Sequence, residues 1–132
     1  MAAVMLDTTV LIDLLRGRRG AMLRLQSLRA GGDRPHTCAV NAEEVERGLK
    51  GAAEREAAAR LFAGMTIVPL GLGEGVQAGT WRRDHAARGR TLSQADCLVA
   101  AAALKIRGRL VTGNPKDFPM AEIEVDPWPV GE

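Results

Sequence analysis

Ala2–Leu6 is an unbroken apolar run that ends on an acid, Asp7, and it predicts a short buried strand. Asp7-Thr8-Thr9 then offers helix-starting chemistry ahead of Val10, Leu11, Leu14 and Leu15, which share one helical face and stop at Gly17. Met22, Leu25 and Leu28 recur at helical spacing, and Gly31-Gly32 closes that second helix. His36–Val40 reads as a second strand. Asn41 is the expected cap of a third helix carrying Val45 and Leu49, followed by an alanine-rich helical segment around Glu54 to Phe62. Thr66–Leu70 is a third strand, ended by proline and glycine, and a helix from about Glu74 to Ala87 is broken at Gly89. Ser93 opens a helix whose apolar face is Leu98, Val99, Ala102 and Ile106. Arg109–Thr112 predicts a fourth strand before a Gly113-Asn114-Pro115 turn. Ile123–Val125 predicts a fifth, at an edge, before the tail Pro127-Trp128-Pro129.

Strands alternating with helices imply an α/β fold, with a central, mostly parallel sheet of about five strands and helices on both faces. No repeat, linker or low-complexity stretch divides the chain, so residues 1–132 are expected to form a single domain. Composition narrows the function classes. Aromatics are only 3% with no tyrosine, so the core must be aliphatic, and the low count argues against a surface of stacked rings for bases. The net charge of +2 does not by itself announce a nucleic-acid binder. Its distribution adds something: Arg16, Arg18, Arg19, Arg24, Arg29 and Arg34 crowd one stretch, and Arg82, Arg83, Arg88 and Arg90 another. Such patches either rim a site for a phosphate polymer or are solvated helix faces. Cys38 and Cys97 sit in apolar company and read as small buried hydrophobes. No basic, apolar leader precedes Asp7, and no apolar run approaches the roughly 18 residues of a membrane span, so a cytoplasmic protein is expected.

Four scattered acids carry the candidate chemistry. In an open parallel sheet, ligands bind beyond the carboxyl ends of the strands. Asp7 follows strand one, Glu44 lies just past strand two in the first turn of its helix, and Asp117 lies beyond strand four. Asp96 is in the first turn of the helix leading into strand four. Each acid alone has an ordinary explanation. Asn41-x-x-Glu44 and Ser93-x-x-Asp96 approximate capping boxes, Asp7 suits a helix N-terminus, and Asp117 suits an Asn-Pro-Lys-Asp turn. Together they would repel one another unless a cation neutralised them, and oxygen ligands with few histidines suit Mg²⁺ or Mn²⁺. Such ions assist phosphodiester cleavage by activating water and stabilising both oxygens of the displacement.

The segment from Val4 to Gly17, Val-Met-Leu-Asp-Thr-Thr-Val-Leu-Ile-Asp-Leu-Leu-Arg-Gly, resembles the opening motif of PIN-domain ribonucleases. It is closer still to the VapC toxins of bacterial type II toxin–antitoxin (VapBC) systems. Thr37–Gly48, Leu92–Leu104 and Leu110–Phe118 resemble the second, third and fourth motifs, in order over nearly the whole chain. The resemblance implies a three-layer α/β/α PIN-like domain. It makes Asp7, Glu44, Asp96 and Asp117 the catalytic and metal-binding acids, with Asp7 and Asp96 as central ligands. Thr9 and Asn114 would be supporting polar residues, with either Asp117 or Asn114 completing the site. The resemblance further implies Mg²⁺- or Mn²⁺-dependent endonucleolytic cleavage of a structured RNA loop, such as one in tRNA or rRNA, to inhibit translation and growth. A homodimer is implied, as is a VapB-type antitoxin whose C-terminal segment covers the acidic groove, often inserting an arginine.

Glu44 is preferred over Glu43, which lies about 100° away around the helix. Asp13 is expected to be a structural acid on the helix surface. His36 and His85 are expected to be structural or solvated, Trp81 to pack its helix, and Trp128 to make a tail or interface contact. Two other readings remain: a PIN-like module that binds RNA or a partner without cutting, and a haloacid dehalogenase-like phosphatase with Asp7 as nucleophile. The second lacks the paired Asp-Asp motif that such an enzyme needs.

Overall fold

The computed structural model describes residues 2–132. Five strands, β1 (Ala3–Leu6), β2 (Arg34–Cys38), β3 (Thr66–Val68), β4 (Arg109–Thr112) and β5 (Val125–Pro127), form one sheet in the order β3-β2-β1-β4-β5. Every pairing is parallel. Six helices connect them: α1 (Thr8–Leu15), α2 (Arg19–Ala30), α3 (Ala39–Arg47), α4 (Ala52–Ala63), α5 (Leu72–Ala87) and α6 (Gln94–Lys105).

The period of two along a strand divides the core between the two faces of the sheet. Val4 and Leu6 of β1 and Val111 of β4 pack with Val10, Leu11, Leu25, Leu28, Val45 and Ala58, from α1 to α4. Met5 and Leu110, pointing the other way, pack with Trp81 of α5 and the Cys97–Ala103 stretch of α6. Ala100, Ala101, Ala102 and Ala103 are all buried, and these short side chains let α5 lie against α6. The result is the expected three-layer α/β/α architecture, with β5 and β3 as its edges.

Several boundaries differ from the sequence expectation, each for a local reason. β2 ends at Cys38, and α3 begins two residues before Asn41, which lies inside the helix with its side chain turned back to accept from the Cys38 N–H at 3.2 Å. Glu44 therefore belongs to the second turn of α3, not the first. β3 stops at Val68 because Pro69 follows. β5 starts at Val125, since Phe118 and Met120 are buried in the core and bring the chain to the sheet edge later.

Asp13 is the larger correction. It is structural as expected, but it is 5% exposed and accepts the backbone N–H of Gly131 at 2.8 Å. That contact holds a tail running from β5 back over the sheet edge. Trp128 N–H donates to Thr112 O at 2.9 Å and Ala21 N–H to Glu132 O at 2.9 Å, so the tail straps β4, α1 and α2 together. Gly113 lies beneath it, where any Cβ would collide with the Val130 side chain. Removing the buried acceptor with Asp13→Ala should lower stability by about 1.5–3 kcal/mol, the usual worth of a hydrogen bond to a charged group. Urea unfolding monitored by circular dichroism measures it.

Candidate active site

Asp7 is the first residue beyond β1, and its backbone is held on both sides. Its N–H donates to Val111 O at 2.9 Å, and its carbonyl accepts from Val10 and Leu11 as α1 begins. It is the N-cap residue of α1, yet its side chain makes no capping bond. The carboxylate instead accepts from the Thr112 hydroxyl at 2.8 Å, and the residue is only 6% exposed. Thr112, the last residue of the neighbouring β4, accepts in turn from the Asn114 N–H at 3.0 Å.

Glu44 reaches the same edge from α3, and the Thr8 hydroxyl donates to its Oε1 at 2.6 Å. Asp96 stands in the first turn of α6, where its N–H donates to the Ser93 hydroxyl at 3.0 Å. Asp117 closes a 3₁₀ turn, Pro115–Asp117, that is anchored by buried Phe118. The Arg90 side chain also grips this turn by donating to the Lys116 carbonyl.

The four acids share one electrostatic field. Burial raises the pKa of Asp7, hydrogen bonds from Thr112 and Thr8 oppose the rise, and the charges of Asp96 and Glu44 add to it. Burial also raises Asp96, with Ser93 opposing and Asp117 and Glu44 adding. Each acid is thus coupled to at least one other. None of the four is in an ion pair among the described residues, where the pairs are Arg47–Glu43, Arg83–Asp84, Lys105–Glu74 and Arg109 with Asp33 and Asp126. Glu43, exposed and paired with Arg47 at 3.3 Å, is occupied on the helix surface, while Glu44 is the one held by Thr8.

Among the described residues no trio of Asp, Glu, His or Cys side chains stands close enough to form a ready-made metal cage. The donor set still fits a hydrated hard cation, which takes one or two carboxylates directly and keeps several waters. Uncompensated carboxylates at partial burial are the chemistry such an ion requires.

The remaining candidates fall into place around this edge. Thr9 accepts the Gly113 N–H at 2.9 Å and so ties α1 to the turn after β4. Asn114 contributes its backbone N–H, while its side chain is exposed. His36 and His85 each bond a carbonyl close by in the chain, Arg34 and Trp81 respectively. Trp81 is buried under α5 with its indole N–H on Glu122 at 2.8 Å, and Trp128 packs on the α1–α4 side of the core. Cys38 and Cys97 are buried free thiols. Apart from half-buried Arg24, the arginines of both patches are exposed.

Sequence reasoning missed Thr8 and Thr112, and it gave Asn41 the wrong task. A signal existed: Thr112 and Asn41 are polar residues at strand-end and helix positions whose neighbours are core, and both are 0% exposed. Buried polar groups must be bonded, and here the partners lead to acids.

Comparison with known proteins agrees with the fold. VapBC2 from Rickettsia felis, bound to a DNA fragment from its promoter, shares 18% identity at a TM-score of 0.84 over 96% of this chain and 98% of that one. VapBC-1 from nontypeable Haemophilus influenzae gives 21% identity and 0.79 over 96% and 98%. A toxin–antitoxin complex from Klebsiella pneumoniae gives 25% identity and 0.76 over 96% and 99%. No curated protein matches the chain in sequence. The PIN domain family model matches residues 4–123, a span that holds all four acids, and the chain therefore belongs to the PIN domain family.

Proposed function

We propose that this PIN domain is the VapC-type toxin of a type II toxin–antitoxin pair, a Mg²⁺- or Mn²⁺-dependent endoribonuclease. The observation that carries the reading is the electrostatic coupling of Asp7, Glu44, Asp96 and Asp117 at one sheet edge, with none of them in an ion pair among the described residues. Asp7 and Asp96 would hold the ion, with Glu44 and Asp117 completing its shell, one of them through water. When bound, the ion activates water and stabilises the phosphate oxygens during cleavage. The Thr112 and Thr8 hydroxyls keep two of the carboxylates oriented toward that task. Arg82, which donates to Leu92 O, and Arg90, on the Lys116 carbonyl, border the site and give RNA phosphates a positive approach. A structured RNA loop, such as one in tRNA or rRNA, fits an open edge that can reach only backbone that is unstacked and accessible.

The partner reading has its own support. A groove of about 510 Å³ runs between α1, α3 and α4, lined by Ile12, Leu15, Val45 and Leu49, with Glu44 at its wall and Arg16 and Lys50 beside it. A VapB-type antitoxin segment laid along it would reach the acids, where an inserted arginine could take the ion's place. The Klebsiella pneumoniae match is itself a toxin–antitoxin complex, and a homodimer of this chain completes the proposed assembly. No helix among the described residues is long and apolar enough to cross a membrane.

Asp7→Asn and Asp96→Asn should each reduce Mn²⁺-dependent RNA cleavage at least about 100-fold while retaining the native circular dichroism spectrum. Normal cleavage by either would sink the assignment, and a folded wild type that binds RNA without cutting it under Mn²⁺ would leave a binding module instead. Mn²⁺ at a hundred times its Kd should stabilise the wild type by about 2.7 kcal/mol, an effect that Asp7→Asn loses. Thermal melts with Mn²⁺ and with EDTA read this.

The pH dependence follows from the raised carboxyls. A carboxyl whose folded pKa exceeds its unfolded value destabilises the fold when ionised, and that cost is relieved as pH falls through the raised pKa toward the ordinary 3.8. In EDTA, mild acidification from neutral should therefore raise the contribution of Asp7 to stability. Asp7→Asn should melt a few degrees higher than wild type at pH 7, with the difference shrinking toward pH 4. A variant that melts lower at every pH would contradict the sign.

A further inference from the structure

We infer that Asn41 is a positioning residue that acts through Thr8 to commit one oxygen of Glu44 to the protein and leave the other for the cation. The inference rests on the reading of the four acids as a cation site. It begins from a group with no choice, since the backbone N–H of Cys38 can only donate. It faces Oδ1 of Asn41 at 3.2 Å, and the Thr37 hydroxyl meets the same atom at 3.0 Å, so that atom must be the carbonyl oxygen. Asn41 is 0% exposed, and a reversed amide would set its N–H groups against the Cys38 N–H, donor to donor.

With the amide so fixed, Nδ2 points at Thr8 Oγ1, 3.1 Å away. An amide nitrogen only donates, so Thr8 must accept there. Its single hydroxyl hydrogen is then left for Glu44 Oε1 at 2.6 Å. The Cys38 N–H fixes the Asn41 end of this chain, and the ionised carboxylate of Glu44, an acceptor only, fixes the other end. Oε1 of Glu44 becomes an obligatory acceptor, and Oε2 is engaged by no other donor among the described residues.

The choice of residue at position 41 supports this. Capping the Cys38 N–H needs an acceptor alone, and Asp or Ser would serve. An amide of this length carries its acceptor and its donors on separate atoms, so it meets the Cys38 N–H and Thr8 at once, whereas Asp would add a further negative charge beside the acids. Across the site the Thr112 hydroxyl likewise accepts from the Asn114 N–H and donates to Asp7 Oδ2, whose ionised carboxylate can only accept. Two carboxylates of the cluster are thereby oriented by threonines whose own direction is preset.

Mn²⁺ titration followed by the electron paramagnetic resonance of the free ion tests the relay, with melting in EDTA as the structural control. Thr8→Val should weaken Mn²⁺ binding about 10- to 100-fold, the usual effect of losing a partner behind a metal ligand. Thr8→Ser, which keeps the hydroxyl, should restore binding to within a few-fold of wild type. Asn41→Ala should weaken binding alone but add nothing in the Thr8→Val background, because both act on one path. Wild-type affinity in Thr8→Val alongside lost binding in Asp7→Asn would overturn the relay while leaving the metal site standing. Wild-type protein that binds no Mn²⁺ would overturn the site reading itself, and the relay with it.

Discussion

Like-charge repulsion at the carboxyl edge of the sheet is the constraint around which the molecule is arranged. Two unit charges 4 Å apart repel by about 4 kcal/mol at an effective dielectric of 20. A domain of this size has only about 5–15 kcal/mol of stability in total. Acids gathered without a cation must therefore be spaced, solvated in part, and restrained by groups that favour their charge. Burial is the main cause that raises the carboxyls of Asp7 and Asp96, and the charges of the neighbouring acids add to it.

The restraints come from regular structure rather than from long loops. β1 and β4 are neighbours, so the residue after one strand and the last residue of the other meet as Asp7 and Thr112. α1 then begins at Asp7, which places Thr8 beside the incoming α3 and Thr9 beside Gly113. The tail completes the frame. Val130 over Gly113 and Gly131 on Asp13 close the far side of α1, so the helix bearing Thr8 and Thr9 is pinned at both ends. The apolar faces of the sheet provide the rigidity beneath, with Met5 and Leu110 toward α6 and Val4, Leu6 and Val111 toward α1 to α4.

Much of this was legible in the order of residues. Apolar runs separated by helical periodicity specified a parallel α/β sheet because each strand buried on both faces must be apolar throughout. Strand four was legible to the residue, since Arg109 and Gly113 bracket it sharply. Asn41 was misread because a cap before a helix and a polar residue three positions inside one look alike in sequence, while their hydrogen bonds run in opposite directions. Asp13 was misread because helical spacing places it beside the apolar face without revealing that a distant tail covers it.

The sequence by itself determined the elements, their alternation, and hence the edge at which Asp7, Glu44 and Asp117 would gather. These follow from local periodicity and from the topology of parallel strands. Only the tertiary structure decided which hydroxyl holds which carboxylate, that Glu43 pairs with Arg47 while Glu44 turns inward, and that Asp96 joins the field. Such contacts join residues up to 105 positions apart, as for Thr112 and Asp7. Hydrogen-bond direction depends on distances of a few tenths of an ångström, and no pattern along a chain encodes those until the chain has packed.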